Sequence, residues 1–194
     1  AERICRSPGD GAPMFVTADC VDPRYNKPFV DIDEMRTTPV PHRYIHGGFT
    51  GTDAKFSFYF PPREQFQGRF FQNTHQLLTS ENGPPGNIGF AIASGGYYVQ
   101  TNIGGVERAT TTEQAVFGKL DPTAGGYRVN AEAAKYSRVK AAEIYGQRRI
   151  YGYLYGGSGG AFKTISSAEH TSGVWDGYVP YVMGSPNAIP GVMT

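Results

Sequence analysis

The 194-residue sequence predicts an α/β fold: a mostly parallel sheet that starts with antiparallel strands and carries helices on both faces. Three observations lead there. Strand-like and helix-like runs alternate along the second half of the chain. Phe56, Phe58 and Phe60 recur at every second position of an early run, and Gly156-Gly157-Ser158-Gly159-Gly160 joins an apolar strand directly to a helix.

Residues 1–40 read as a turn-rich segment packed on the core, punctuated by Pro8, Pro13, Pro23, Pro28 and Pro39; the domain proper is expected over 41–194. Residues 43–49 and 55–60 form an antiparallel pair that Pro61-Pro62 ends. A third strand covers 68–73. Residues 88–94 make a short helix stopped by Gly95-Gly96, and 97–102 a fourth strand. The polar stretch 104–127, with its three threonines at 110–112, reads as a long surface loop. Asn130 then caps a helix to Tyr145, with Ala131, Ala134, Val139 and Ala142 near helical spacing and Gly146 closing it. A buried strand at 149–155, the glycine-serine turn, a helix at 161–170 and a strand at 175–183 complete the order.

With 39% apolar and 18% charged residues, the chain can bury one sizeable core. A net charge of +1, with Arg148-Arg149 the one adjacent basic pair, argues against nucleic acid or an anionic membrane as partner. No apolar run approaches bilayer-spanning length. The chain begins at Ala1, which reads as a processed product. Cys5 and Cys20 are the two cysteines and bracket a Pro/Gly/Asp-rich stretch, so a disulfide between them and a secreted, extracellular location are expected. There is no Asn-x-Ser/Thr sequon to add to that reading.

Ser158 is the candidate nucleophile, because Gly-x-Ser-x-Gly between a strand and a helix is the sharp turn on which such a serine sits. A flexible linker would not be flanked by an apolar strand and an amphipathic helix. Phe162 stands where a Walker loop ending at Lys163-Thr164, or a dinucleotide fingerprint starting at Gly157, needs a glycine or another small residue. A serine attacking a carbonyl needs donors for the resulting oxyanion. Gly159 offers its N–H at a helix start, and Thr74 and His75, after the third strand, are favoured for the second donor. His46-Gly47-Gly48 imitates an oxyanion motif but falls on the first of these strands, where glycines ease strand crossing. Of His42, His46, His75 and His170, none follows the serine late enough to be its base. Asp176 and Glu169 read as turn or solvated residues.

Taken together, Gly68-Arg69-Phe70, Gly96-Tyr97-Tyr98-Val99, the helix end at 142–146, the elbow 156–160 and Trp175-Asp176-Gly177-Tyr178-Val179 resemble the α/β-hydrolase fold. Within it the likeness is to the tannase and feruloyl-esterase group, although Gly157 stands where that group usually has a cysteine. The resemblance implies a serine hydrolase cleaving a small-molecule carboxylic ester through an acyl-enzyme, with no cofactor or metal. It also implies that the C-terminal part of the fold is missing from this chain. The acid and histidine would come from a downstream segment or second chain; the rival is a site using His75 or His170. Amide or lactone cleavage and a non-catalytic binding module are the alternative functions.

Overall fold

Phe56, Phe58 and Phe60 are almost wholly inaccessible to solvent, and the sheet is built around them. The computed structural model describes residues 3–74, 80–105 and 121–183. Seven strands form the main sheet: β4 (Pro28–Arg36), β5 (His42–Phe49), β6 (Lys55–Phe60), β7 (Arg69–Asn73), β8 (Gly96–Thr101), β9 (Tyr151–Gly157) and β11 (Gly177–Tyr181). Their order across the sheet is β11-β9-β7-β8-β6-β5-β4. The first four run parallel, and β6, β5 and β4 follow antiparallel. Three two-residue strands, β1 (Arg3–Ile4), β2 (Val16–Thr17) and β3 (Cys20–Val21), lie in the N-terminal segment; β2 pairs with β10 (Thr171–Ser172).

The two sheet faces carry separate cores. On one, Phe56, Phe58, Phe60, Phe70, Tyr97, Val99 and Leu154 meet alanines 131, 133, 134 and 141 of α2 (Val129–Tyr145). Small alanines let the helix approach aromatic rings closely, and Phe70 stacks on Tyr97 at 5.2 Å. On the other, Tyr44, Tyr59 and Tyr98 pack with Ile88, Ala91 and Ile92 of α1 (Pro85–Ala93). The third helix, α3 (Gly159–His170), follows β9 and touches the helical turn 124–128.

The structure departs from the sequence expectation at four places. Strand β4 lies inside the segment expected to be turns, and its register breaks at a bulge between Val30 and Ile32. Helix α1 begins at Pro85, three residues early, because proline fits a first helical turn where no N–H acceptor is needed. Residues 124–128 are helical rather than loop and run straight into α2, so Asn130 is inside the helix and 1% exposed instead of capping it. The rest of the expected loop, 106–120, lies outside the described residues. The strands expected at 149–155 and 175–183 are Tyr151–Gly157 and Gly177–Tyr181. Trp175 is buried, its indole N–H donating to Gln72 at 3.0 Å.

Polar contacts bind the N-terminal segment to α2. Arg128 holds the buried Asp22 carboxylate with two nitrogens at 2.6 and 2.8 Å, the Asp22 N–H donates to Glu132, and Lys135 donates to the Cys20 carbonyl. Cys5 and Cys20 form the expected disulfide. It closes a loop of 15 residues, so replacing both cysteines with serine is expected to lower unfolding free energy by roughly 3 kcal/mol in urea titrations.

His42 is buried at the start of β5. Its Nδ1–H donates to the Val40 carbonyl at 2.7 Å, its ring lies 5.4 Å from Tyr59, and Nε2 has no partner among the described residues. Burial, the dominant cause, pushes its pKa below the ordinary value, so the fold favours the neutral ring. The resulting stability is present above the unfolded-state pKa of about 6.5 and is lost as pH falls through the lower folded-state value. Urea midpoints measured from pH 8 to 5 should therefore fall less steeply in His42→Phe than in the wild type.

Candidate functional site

Strand β9 ends in two glycines, and α3 begins immediately after Ser158, leaving one residue to reverse the chain. Ser158 accommodates this with φ 55° and ψ −120°, a conformation that costs a side-chain-bearing residue on the order of 1–3 kcal/mol. Its N–H donates to the Tyr181 and Val182 carbonyls at 3.3 and 3.2 Å, fastening the turn to the end of β11. Its carbonyl accepts the Ala161 N–H at 2.9 Å. The side chain is exposed, and among the described residues no group hydrogen-bonds its hydroxyl. Gly159, the first residue of α3, has an N–H without an intrahelical acceptor, at the positive end of the helix dipole.

The neighbouring glycines are explained by contact. A Cβ on Gly156 would lie 2.6 Å from the Thr74 carbonyl oxygen and 2.7 Å from that of Gly160. Three backbone segments thus meet at one point: the end of β9, the start of α3 and the exit from β7. At Gly157 the space a side chain would need is filled by the Tyr181 ring, 2.7 Å from the would-be Cβ.

Thr74 is brought against this turn, as expected for an oxyanion loop. Its own N–H, however, donates to the Tyr155 carbonyl at 2.9 Å, and its hydroxyl accepts from Asn130 at 3.2 Å. The amide is therefore engaged in the sheet. His75 lies outside the described residues. Burial pushes the neighbouring Tyr155 hydroxyl up to about 12, so the ring stays neutral beside the turn.

The histidines are distributed as follows. His170 is at the opposite end of the twelve-residue α3, about 18 Å from Ser158 at 1.5 Å per residue. There its Nδ1 contacts the Ser166 carbonyl and its ring stacks on Tyr127 at 5.0 Å. The rival reading with His170 as base is thereby corrected: helix length separates the two. His46 lies between two carboxylates, Asp31 at 2.5 Å and Glu81 at 3.2 Å. In His46-Gly47-Gly48 the glycines serve strand crossing, since a Cβ on Gly47 would fall 1.9 Å from the Phe29 carbonyl oxygen. Asp176, read as a turn residue, accepts the Gly152 N–H and pairs with Arg149 and Arg138.

A buried polar chain beneath the turn was not foreseen. Trp175 donates to Gln72, Gln72 donates to the Asn130 carbonyl and side chain, Thr101 donates to Asn130, and Asn130 donates to Thr74. The one signal in the sequence is polarity at Gln72 and Thr101 in alternation with Phe70 and with Tyr97 and Val99, on the strand face that otherwise carries apolar rings and Val99.

No family model matches the chain, and no curated protein matches its sequence. Solved structures do match. Tannin acyl hydrolase from Aspergillus niger superposes with a TM-score of 0.55 at 16% identity, over 79% of this chain and 31% of that one. Feruloyl esterase B from Aspergillus oryzae superposes with a TM-score of 0.53 at 15% identity, over 70% of this chain and 30% of that one. The chain has an α/β-hydrolase fold. It spans less than a third of the length of either esterase.

The contact at Gly156 yields a test independent of activity. Gly156→Ala drives a methyl into two backbone carbonyls and should destabilise the chain by about 1–3 kcal/mol in denaturant titration. Gly89→Ala, inside α1 with open space around it, should stabilise by roughly 0.5–1 kcal/mol.

Proposed function

We propose that the protein is a serine hydrolase acting on a carboxylic ester through an acyl-enzyme on Ser158. One observation carries this: an exposed serine held at positive φ between a strand end and a helix N-terminus. The serine hydroxyl gives its proton to a histidine as its oxygen attacks the ester carbonyl carbon, and negative charge passes to the carbonyl oxygen. The Gly159 N–H and the N-terminal dipole of α3 stabilise that charge. With the Thr74 amide engaged, the second donor falls to His75 of the two residues favoured for it. The alcohol leaves with a proton from that histidine, and water then attacks the acyl-serine with the same histidine as base.

The acid and histidine are proposed to come from a downstream segment or from a second chain. Supporting this, Val179, Tyr181, Val182 and Met183 are exposed around the β11 edge beside the serine. The disulfide supports an extracellular or otherwise oxidising location. Among the described residues no helix is long and apolar enough to cross a membrane.

In the full-length protein, a fluorophosphonate probe should label Ser158. Ser158→Ala should abolish labelling and lower kcat on an aryl ester by about 10⁶-fold, as for removal of other triad serines, without altering the unfolding midpoint. Near-normal turnover in that variant would rule out the assignment.

A further inference from the structure

We infer that His46 is a positioning residue for the hydrolysis proposed above: braced by Asp31, it grips Glu81 and fixes the far end of the loop joining β7 to α1. The inference rests on that reading, in which this loop supplies an oxyanion donor. At its near end the loop is tied through Thr74 to Tyr155 and Asn130. At its far end three side chains rising from one sheet face hold it. Gln100 donates to the Ser80 carbonyl at 3.2 Å, the Tyr59 hydroxyl accepts the Gly83 N–H at 2.7 Å, and His46 Nε2 meets Glu81 at 3.2 Å. His46, Ser57 and Gln100 lie in one row across β5, β6 and β8, so the grip belongs to the sheet rather than to a mobile surface pair.

The bulge in β4 serves this contact. Val30 pairs with Gly47 and Ile32 with His46, which leaves Asp31 as the extra residue. Bulges re-aim side chains, and here the Asp31 carboxylate is turned onto His46 Nδ1 at 2.5 Å. The bulge brings the Phe29 carbonyl so close to β5 that residue 47 must be glycine. The His46 side chain is only 13% exposed and that of Glu81 18%, whereas Asp31 at 49% faces solvent. The remaining neighbours are the Tyr44 ring, stacked on His46 at 6.3 Å with the Arg36 guanidinium over it, and Ser57 opposite on β6.

Carboxylates only accept hydrogen bonds, so filling both contacts requires a proton on each ring nitrogen.

The test uses the full-length protein, with aryl-ester kinetics and amide hydrogen exchange over residues 80–87. His46→Gln and Glu81→Ala should each lower kcat by about tenfold or more with KM within about twofold. The double variant should lose no more than either single, because both break one contact. Glu81→Gln, which keeps an acceptor for Nε2–H, should recover most of what Glu81→Ala loses. The Gly83 amide should exchange faster in both single variants. Multiplicative losses in the double variant, or a kcat within twofold of wild type in either single, would overturn the inference. Unchanged exchange over 80–87 would do so whatever the nucleophile proves to be, while an active Ser158→Ala enzyme would remove the hydrolase reading and leave the exchange result to decide the contact.

Discussion

The whole upper rim of this sheet depends on the backbone approach at Gly156. The exit from β7, the end of β9 and the start of α3 can converge only because no side chain separates them. That convergence leaves a single residue for the reversal, and positive φ at Ser158 follows from it. Local strain persists only where surrounding structure over-determines it. Here the determining contacts are the bonds from the Ser158 N–H to Tyr181 and Val182 and the anchoring of α3. Strand β11, the outermost strand among the described residues, is therefore also the brace of the turn.

Below the rim, the chain of Trp175, Gln72, Asn130, Thr101 and Thr74 joins α2 to β7 and β8 through buried polar atoms. Such a network is costly when half satisfied, since each orphaned donor or acceptor loses its water without replacement. Asn130 uses its backbone carbonyl, its side-chain oxygen and its side-chain amide within it. The network therefore specifies one register between α2 and the sheet, where sliding alanines along aromatic rings would not. The exit from β7 inherits that precision through Thr74.

What could be read from the sequence was what is encoded locally. The alternating phenylalanines of β6, the glycine-flanked serine and the closing Gly146 each carry their structure in adjacent residues. The disulfide was legible because the two cysteines have each other as their one possible partner within the chain. Strand β4 was not, because Asp31, Asp33 and Glu34 interrupt its apolar residues and make it resemble a solvated loop. Its charges are matched across space, Asp33 by both nitrogens of an Arg43 fork at 2.7 Å and Asp31 by His46. Asn130 shows the same limit from the other direction: its propensity indicates a helix cap, and its tertiary partners Gln72, Thr74 and Thr101 override it. His46 beside two glycines suggested an oxyanion motif by analogy, whereas its neighbours Asp31 and Glu81 are brought to it by a bulge and a loop that no spacing in the sequence announces.

Among the described residues, the two outer strands of the sheet differ in chemistry. Strand β4 carries four charged residues and a bulge, devices that keep an exposed edge from pairing with other chains. Strand β11 has no charge in Gly177–Tyr181 and exposes Val179 and Tyr181, followed by Val182 and Met183. Pro180 removes one donor from its outer side, which limits continuous pairing there without covering the apolar side chains. An edge blunted against ladder extension yet left apolar is suited to side-chain packing by another segment. That segment would lie beside the carbonyls of Tyr181 and Val182, which hold the Ser158 amide. Packing against this strand would thus bear directly on the turn that holds Ser158 at positive φ.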